Sequence, residues 1–321
     1  MSLWDRVLDA SIVRSFDRSG FERHARRFDP TELDRSMHGR VCLVTGANRG
    51  LGLAAACGLA ERGASVHLLC RDPERGRLAR DRLVQRTGHA DIHAHAVDLA
   101  ALDEIDAFTR RLGSRRVDVL VHNAGLLPAN RVLGPHGLEQ TVAVHLLGPH
   151  RLMRALQPQL VDARVIFVSS GGMYAKRLDV DAMLDTTGPY DGVAAYAMTK
   201  RAQVVLAEQW AEVLRDSGTV VHAMHPGWAA TPGVRTSLPR FWRTMKNRLR
   251  SPEQGADTVL WLAIAPEATR STGGFWFDRA PAPTHRVPWT QERSDQRERL
   301  WALVERYGRH PRTVPKQEID A

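Results

Sequence analysis

Cysteine is scarce in this chain of 321 residues, and its spacing excludes two kinds of small-domain scaffold. Cys42, Cys57 and Cys70 are the only cysteines, and none of them forms a CxxC or CxxH pattern. This argues against a disulfide framework and a zinc site, and it is typical of a reducing compartment. His93 and His95 share one face of a predicted strand, but we identify no carboxylate or cysteine at a spacing that would join them. We therefore predict no metal site.

Long hydrophobic runs are also absent. No apolar run reaches the ~18 residues that a membrane-spanning helix needs, and the first thirty residues carry Asp and Arg instead of the apolar core of a secretory signal. We therefore expect a soluble, cytoplasmic protein without a transmembrane segment. Residues 1–30 nevertheless form an amphipathic pattern, which either lies peripherally on a membrane or packs back on the domain. Its apolar residues are Leu3, Trp4, Val7, Leu8, Ile12 and Val13.

Lysine is rare although the chain is basic. The formal net charge is +9 and Lys and Arg together number 45, yet the only lysines are Lys176, Lys200, Lys246 and Lys316. The arginines are spread along the whole chain among 36 acidic residues. This pattern favours a solvated, arginine-rich surface over a nucleic-acid interface. We therefore predict no nucleic-acid partner, and each lysine becomes informative.

From about residue 40, short β-branched runs alternate with longer amphipathic segments. The runs predict strands at 41–45, 65–69, 92–97, 117–122, 164–169 and 220–224, and the segments predict helices at 51–62, 74–87, 102–112, 138–160 and 193–215. Such alternation implies βαβ units and a parallel sheet covered on both faces. We predict an α/β fold with a doubly wound, Rossmann-type parallel sheet in one domain at 40–280. Residues 1–39 and 281–321 are then N-terminal and C-terminal extensions, the second with Leu300, Trp301, Val304 and Tyr307 on one helical face.

A glycine-rich turn joins the first predicted strand to its helix. Its sequence is Thr-Gly-Ala-Asn-Arg-Gly-Leu-Gly, from Thr45 to Gly52. Glycines at such a turn let a pyrophosphate approach the backbone, and the helix N-terminus supplies N–H groups and a favourable dipole. The spacing Gly-x3-Gly-x-Gly differs from the commonest dinucleotide fingerprint.

This turn is the first of five motifs that resemble the short-chain dehydrogenase/reductase superfamily. The others follow in the family's order at the ends of predicted strands four, five and six and on the helix between the last two, and together they cover roughly residues 40–280. A longer stretch from Met224 to Ala263 is similar to one animal branch of this family. The four further motifs are Asn123-Ala124-Gly125, Ser169-Ser170-Gly171, Tyr196-Ala197-Met198-Thr199-Lys200 and Pro226-Gly227.

The resemblance implies a catalytic set made of Ser170, Tyr196 and Lys200. Ser170 would orient the substrate carbonyl, Tyr196 would act as acid or base, and Lys200 would bind the nicotinamide ribose. Tyr196 and Lys200 lie four residues apart, on one face of a helix. A free tyrosine titrates near ~10, and a nearby ammonium is expected to lower that pKa. Tyr174 and Tyr190 are expected to line the pocket.

The same resemblance implies a set of cofactor-binding residues. Asp98 and Leu99 are expected at the adenine, although a helix cap is an open alternative for Asp98. Thr231 is expected at the nicotinamide carboxamide, although it too could cap a helix. The full predicted set is Gly46, Asn48, Arg49, Gly50, Leu51, Gly52, Arg71, Asp98, Leu99, Asn123, Ala124, Gly125, Tyr196, Lys200, Pro226, Gly227 and Thr231.

Two arginines bear on the choice of cofactor. In NAD-preferring sites an acid at the end of strand two binds the ribose hydroxyls and repels a 2′-phosphate. Here that strand ends on Arg71, and Arg49 lies within the glycine-rich turn. Two guanidinium groups can pair with a phosphate, so NADP(H) is predicted. Asp72 follows at once, and NAD(H) remains possible if Asp72 points inward.

One position departs from the family pattern. The family usually carries Asn as a fourth catalytic residue in the helix after strand four, where its main-chain carbonyl holds a water near the lysine. His145 occupies that place here. Either its side chain substitutes for the Asn, or only its backbone contributes. Like-charge repulsion from Lys200 is expected to lower the pKa of His145, so that the neutral ring prevails at pH 7.

These residues predict an NADP(H)-dependent oxidoreductase. It would interconvert a carbonyl and an alcohol by hydride transfer, on a small and hydrophobic ketone, aldehyde or secondary alcohol. The alternative is a catalytically weak NADP(H)-binding sensor or regulatory protein. The long helices at 138–160 and 193–215 predict a homodimer, unless the extensions cover that surface.

Overall fold

The computed structural model describes residues 8–9 and 11–308. The strands are β1 (Val41–Thr45), β2 (Ser65–Cys70), β3 (Ile92–Ala96), β4 (Val119–His122), β5 (Arg164–Val168), β6 (Val220–Met224), β7 (Phe275–Phe277) and β8 (Ala280–Pro281). The helices are α1 (Ile12–Phe16), α2 (Arg18–Ala25), α3 (Gly50–Ala60), α4 (Pro73–Thr87), α5 (Leu102–Leu112), α6 (Gln140–Val142), α7 (Gly148–Leu156), α8 (Val180–Leu184), α9 (Gly192–Val213), α10 (Pro232–Ser237), α11 (Pro239–Met245), α12 (Pro252–Ile264) and α13 (Ser294–Gly308). A π-helical segment, Ala143–Leu147, joins α6 to α7 without a break.

The strands form one sheet in the order β3-β2-β1-β4-β5-β6-β7-β8. Neighbours are parallel from β3 through β7, and β8 runs antiparallel to β7. The strand order reverses between β1 and β4. At such a switch point the carboxyl ends of the strands open a crevice, which is where α/β sheets bind ligands. The predicted doubly wound α/β fold is confirmed.

The sheet is buried on both faces because its strands are apolar on both faces. In β1, Leu43 belongs to the core cluster that contains Trp210 of α9, whereas Val44 belongs to the cluster that contains Leu59 of α3 and Leu262 of α12. Alternate side chains of one strand thus enter two cores. This burial fixes the register of the strands and therefore the positions of the loops that follow them.

A buried ion pair attaches the N-terminal extension to the domain. Arg250 is fully buried, and its Nη1 and Nη2 donate to the carboxylate of Asp278 at 2.5 and 2.9 Å. The same guanidinium donates to the carbonyls of Ser15 and Phe16, each at 2.9 Å. His24 of α2 completes the cluster, with 2.6 Å between its Nδ1 and Asp278 Oδ2. The described part of the extension therefore packs back on the domain, while residues 1–7 and 10 lie outside the described residues.

The cluster keeps its charges although it is buried. Burial raises the pKa of Asp278, but Arg250 and His24 outweigh it and the net pKa lies below the ordinary value. Burial lowers the pKa of His24, but Asp278 and Asp9 outweigh it and the net pKa is raised.

Across residues 8–9 and 11–308, no helix is both long and apolar enough to cross a membrane.

The C-terminal extension ends in α13, which packs against α7 and α9. Leu300 and Val304 are fully buried, and Trp301 stacks edge-on against Trp210 of α9 with 5.5 Å between ring centroids. These two helices form the surface predicted for a homodimer, so α13 narrows the area left for a second copy. The homodimer stays a prediction. Residues 309–321 lie outside the described residues.

We expect removal of Arg250 to destabilise the protein strongly. Arg250→Met leaves Asp278 as a buried carboxylate with only His24 beside it, and breaking a buried pair in this way costs about 3 kcal/mol or more. Urea unfolding followed by circular dichroism measures the change in the free energy of unfolding. The matched control is Arg299→Met, which removes an exposed ion pair with Asp181 and is expected to cost less than about 1 kcal/mol. Equal losses in the two variants would contradict a structural role for the buried pair.

Candidate active site

The glycine-rich turn lies at the carboxyl end of β1, and its backbone explains its glycines. Gly46 and Gly50 have φ of +64° and +58°, in the left-handed region that favours glycine. A Cβ on Gly52 would lie 2.3 Å from Nδ2 of Asn123. Arg49 precedes α3 without forming a side-chain cap, so the N–H groups of the first turn face the crevice without a side-chain acceptor. This cradle fits a pyrophosphate.

Asn123 ties the end of β4 to the end of β1. Its Nδ2 donates to the carbonyl of Thr45 at 2.9 Å, and the Thr45 hydroxyl accepts the N–H groups of Asn123 and Ala124, both at 3.0 Å. Next along the chain, a Cβ on Gly125 would lie 3.2 Å from Nε2 of His145. The side chain of Asn123 is thus committed to the scaffold, and Ala124 and Gly125 present backbone to the crevice.

Thr231 lies beside the glycine-rich turn and caps α10. Its hydroxyl accepts the N–H of Val234 at 3.3 Å, while its Cβ and Cγ2 lie 3.3 Å from the position of a Cβ on Gly50. Pro226 and Gly227 follow β6, and Gly227 has a φ of +68°. The alternative function, a helix cap, is therefore present, and the contact of Thr231 with the nicotinamide carboxamide stays a prediction.

Asp98 and Leu99 follow β3 and flank the crevice differently. Asp98 Oδ1 accepts the N–H of Ala100 at 2.9 Å, which forms a tight turn but not a helix cap. The residue before α5 is Ala101, which has no side-chain cap. Leu99 is buried, and a Cβ on Gly148 would lie 2.3 Å from its carbonyl oxygen.

The two predicted phosphate-binding arginines are exposed, whereas the carboxylate of Asp72, between β2 and α4, already has hydrogen-bond partners. The side chains of Arg49 and Arg71 form no hydrogen bond or ion pair with any residue the structure describes. Asp72 caps α4, accepting the N–H of Arg75 at 3.0 Å, and its carboxylate lies 3.2 Å from the Arg75 guanidinium.

Ser170 and Tyr196 meet at the carboxyl end of β5. Tyr196 is half-buried in the first turns of α9 and is hydrogen-bonded to Ser170. The Ser170 oxygen also accepts the N–H of Gly172 at 3.2 Å. The neighbouring Ser169 is buried, and its hydroxyl donates to the carbonyl of Lys200 at 2.8 Å. The geometry therefore brings Ser170, rather than Ser169, to the tyrosine.

The expected lowering of the Tyr196 pKa is wrong. Burial raises the pKa of Tyr196, and the hydrogen bond from Ser170 opposes this only in part. Lys200 Nζ lies 5.7 Å from the centroid of the Tyr196 ring. It donates to the carbonyl of Val168 at 2.9 Å and to Oε1 of Gln203 at 2.7 Å. Its ammonium is thus aimed at neutral oxygens, and burial lowers the pKa of Lys200 to about 7.

Both ring nitrogens of His145 are engaged. Nε2 accepts the N–H of Leu126 at 3.1 Å, and Nδ1 lies 2.8 Å from the hydroxyl of Thr199. The proton of the neutral ring therefore sits on Nδ1. Burial, and then Lys200, lowers the pKa of His145 well below its usual value, which is the expected direction with burial as the larger cause. A π-helical segment carries His145, and such segments are frequent at functional sites.

Sequence reasoning missed three residues of this region. Phe16 of α1 lies against the loop after β5, since a Cβ on Gly171 would approach its ring to 2.5 Å. Thr199 and Gln203 contact His145, and their only signal is a position one helical turn from Tyr196 or Lys200. The anticipated wall tyrosines bond elsewhere: Tyr174 donates to the carbonyl of Pro283 at 2.8 Å, and Tyr190 to Glu139 at 3.0 Å.

The histidine pair of β3 lies on an edge strand of the sheet, away from β5, where Tyr196 meets Ser170. His95 Nε2 is 2.8 Å from Nδ1 of His67, and His93 is hydrogen-bonded to Asp91 at 2.7 Å, a carboxylate that the spacing argument overlooked. Among the described residues, no cluster of three or more His, Cys, Asp or Glu side chains is arranged to hold a metal ion.

Comparisons with known proteins place this geometry in a family. The short chain dehydrogenase family profile matches residues 40–240. Dehydrogenase/reductase SDR family member 12 of Bos taurus is 41% identical over 309 residues, which cover 94% of this chain and 96% of that protein. This agrees with the animal branch that the sequence resembles.

Two solved structures are also similar, each at 25% identity. A 3-ketoacyl-(acyl-carrier-protein) reductase from Brucella melitensis, complexed with NADH, has a TM-score of 0.61, with 75% of this chain and 96% of that one covered. Pseudomonas aeruginosa RhlG, in an active-site complex with NADP, has a TM-score of 0.62, with 77% and 96% covered. The neighbours thus include complexes with both coenzymes. The chain belongs to the short-chain dehydrogenase/reductase superfamily and is an NAD(P)-dependent oxidoreductase.

Proposed function

We propose that this chain is an NADP(H)-dependent oxidoreductase in which Tyr196 is the acid/base. The observation that carries the proposal is the meeting of Ser170, Tyr196 and Lys200 beside a glycine-rich cradle at the sheet's switch point. When bound there, the nicotinamide supplies or accepts a hydride. The protein has to supply the proton that neutralises the resulting alkoxide.

The protonation states favour carbonyl reduction. Because burial raises the pKa of Tyr196 above its ordinary value, the phenol keeps its proton at neutral pH and can donate it. Ser170 is hydrogen-bonded to that phenol, so one substrate oxygen can receive both hydroxyls. Lys200, with a pKa lowered to about 7, supplies a positive charge that steadies a phenolate once the proton has left. In the oxidation direction the same phenolate accepts the proton.

Two exposed arginines, and an aspartate whose carboxylate is already hydrogen-bonded, support NADP(H) as the coenzyme. Arg49, within the turn, and Arg71, directly after β2, are exposed, and their side chains have no partner among the described residues. Asp72 would have to leave its cap on α4 and its contact with Arg75 to bind ribose hydroxyls. A helix cap is worth about 1 kcal/mol, so this rearrangement disfavours NAD(H).

Aromatic side chains near Ser170 support a hydrophobic substrate. Phe16 stacks with Tyr174 at 6.3 Å between ring centroids and meets Trp228 at 6.0 Å. Trp228 in turn lies 5.2 Å from Phe241 of α11. Phe16 and Tyr174 are buried in the core beneath these loops, whereas Trp228 and Phe241 are partly exposed after β6. We propose a small hydrophobic ketone, aldehyde or secondary alcohol, acted on in the cytoplasm.

Tyr196→Phe tests the enzyme directly. With NADPH and a panel of carbonyl compounds, we expect the variant to lose at least about 100-fold in turnover, the usual contribution of a general acid, while NADPH binding is retained. Absorbance at 340 nm follows turnover and fluorescence titration follows binding. Tyr190→Phe is the control, because that phenol is bonded to Glu139. Tight NADPH binding without turnover by the native chain would support a sensor instead.

Arg71→Asp tests the coenzyme choice. Removing a charge-assisted contact and adding a carboxylate should weaken NADPH binding by about 10- to 100-fold and leave NADH binding unchanged or improved. Isothermal titration with each coenzyme gives the ratio of dissociation constants. Arg82→Asp carries the same charge change on an exposed face of α4 and is expected to alter neither. Tighter binding of NADH than NADPH by the native chain would overturn the assignment.

His145→Asn and His145→Gln separate a side-chain function from a backbone one. The Asn amide reaches the position of Nδ1 and the Gln amide that of Nε2, so only His145→Gln still accepts the N–H of Leu126. We expect His145→Asn to lose about 1–3 kcal/mol of stability because a buried donor is left without a partner. Since the neutral ring does not titrate near pH 7, neither variant should move the pH profile of kcat. A shifted acid limb in His145→Asn would show that the side chain takes part in proton transfer.

A further inference from the structure

Gln203 connects Lys200 to the backbone of His145. It is fully buried on α9, one turn beyond Lys200. Its Oε1 accepts from Lys200 Nζ at 2.7 Å, and its Nε2 donates to the carbonyl of His145 at 2.9 Å. The orientation of the amide is fixed, because the flipped amide would direct an N–H at the ammonium and an oxygen at the carbonyl.

The sequence explains why the His145 carbonyl is available. In an α-helix this carbonyl would accept the N–H of the residue four positions on, which is Pro149 and has none. The π-helical segment Ala143–Leu147 lies at the same place. A buried carbonyl that lacks its α-helical donor is open to another one, and the amide of Gln203 donates to it from the neighbouring helix. The contact is therefore specified by both helices.

We propose that Gln203 is a positioning residue that holds the Lys200 ammonium in place and replaces the water that the family resemblance implies between this lysine and the carbonyl at position 145. The proposal rests on the proposed function, in which Lys200 serves the catalytic tyrosine. A water in that place can pass a proton, because it both donates and accepts. The Nε2 of an amide donates but does not accept, so this link orients Lys200 without conducting protons towards His145.

The link also sets the charge of Lys200. Two titratable groups face Lys200, namely His145 from the π-helical segment and Tyr196 from α9, while β5 contributes the carbonyl of Val168. Within the described residues no carboxylate pairs with this ammonium. Gln203 Oε1 is thus one of two oxygens that stabilise the charged form against the burial that lowers its pKa to about 7.

Gln203→Glu and Gln203→Met change this stabilisation in opposite directions. A carboxylate at the position of Oε1 favours the ammonium, so Gln203→Glu is expected to raise the Lys200 pKa by about one unit or more. Methionine has a similar shape without the oxygen, so Gln203→Met is expected to lower that pKa. A residue that only filled space would leave the lysine pKa unchanged in Gln203→Met, which keeps a similar volume and removes only the oxygen.

The titration can be read directly, without coenzyme or substrate. The chain has four lysines, so ¹³C-lysine labelling gives a simple NMR spectrum in which Lys200 is assigned by comparison with Lys200→Arg. Gln209→Glu is the matched control on α9, since its amide bonds to the carbonyl of Arg297 instead. Opposite shifts of the Lys200 titration in the two Gln203 variants, with none in Gln209→Glu, support the proposal.

Equal Lys200 pKa values in the native chain, Gln203→Glu and Gln203→Met would overturn it. If one variant does not fold, the other still gives a signed shift against the native value. Because this readout needs no turnover, it is independent of the outcome for Tyr196→Phe and the carbonyl panel. Where turnover is found, the limb of the kcat pH profile should move with the lysine pKa, while KM for the carbonyl stays within about twofold.

Discussion

The site is organised around one constraint: a buried ammonium that has no carboxylate partner among the described residues. Lys200 is only 3% exposed, and neutral oxygens from β5 and α9 hold its charge. A carboxylate would stabilise it more strongly, but it would also place a negative charge where a phenolate has to form. The neutral oxygens stabilise the charged form of Lys200 less than a carboxylate would, and burial lowers the lysine pKa to about 7. Other features of the site act on Lys200 or on a residue that contacts it. They are the serine at the end of β5, the π-helical turn and Pro149.

Much of the fold was predictable because its signals are local. Strands such as β1 are apolar on both faces, and the glycines of the turn indicate a backbone with positive φ, which other residues rarely adopt. The spacing of Tyr196 and Lys200 needs only the geometry of one helix. For these features, a short stretch of sequence determines the physics. The confirmed α/β fold and the order of the motifs follow from it.

The rest depends on contacts between distant segments, which no local pattern encodes. Gln203 meets His145 only because α9 packs beside the π-helical turn, and the sequence separation is 58 residues. The pKa of Tyr196 was predicted in the wrong direction for the same reason: the spacing reveals a nearby lysine but not the burial that dominates. Asp72 was ambiguous until its cap on α4 was visible. Burial and competition for hydrogen bonds are properties of the packed chain.

The attachment of α1 and α2 has a consequence for synthesis of the chain. These helices are made before the strands that they cover, and Arg250 and Asp278, which bind them, lie 234 and 254 residues further on. At roughly 5–20 residues per second, the interval is on the order of tens of seconds. Phe16 is an apolar side chain that packs against Trp228 and Phe277, so it is not fully covered until those later residues have been made. The N-terminal helices can therefore dock over the loops after β5 and β6 only when the strands beneath are complete.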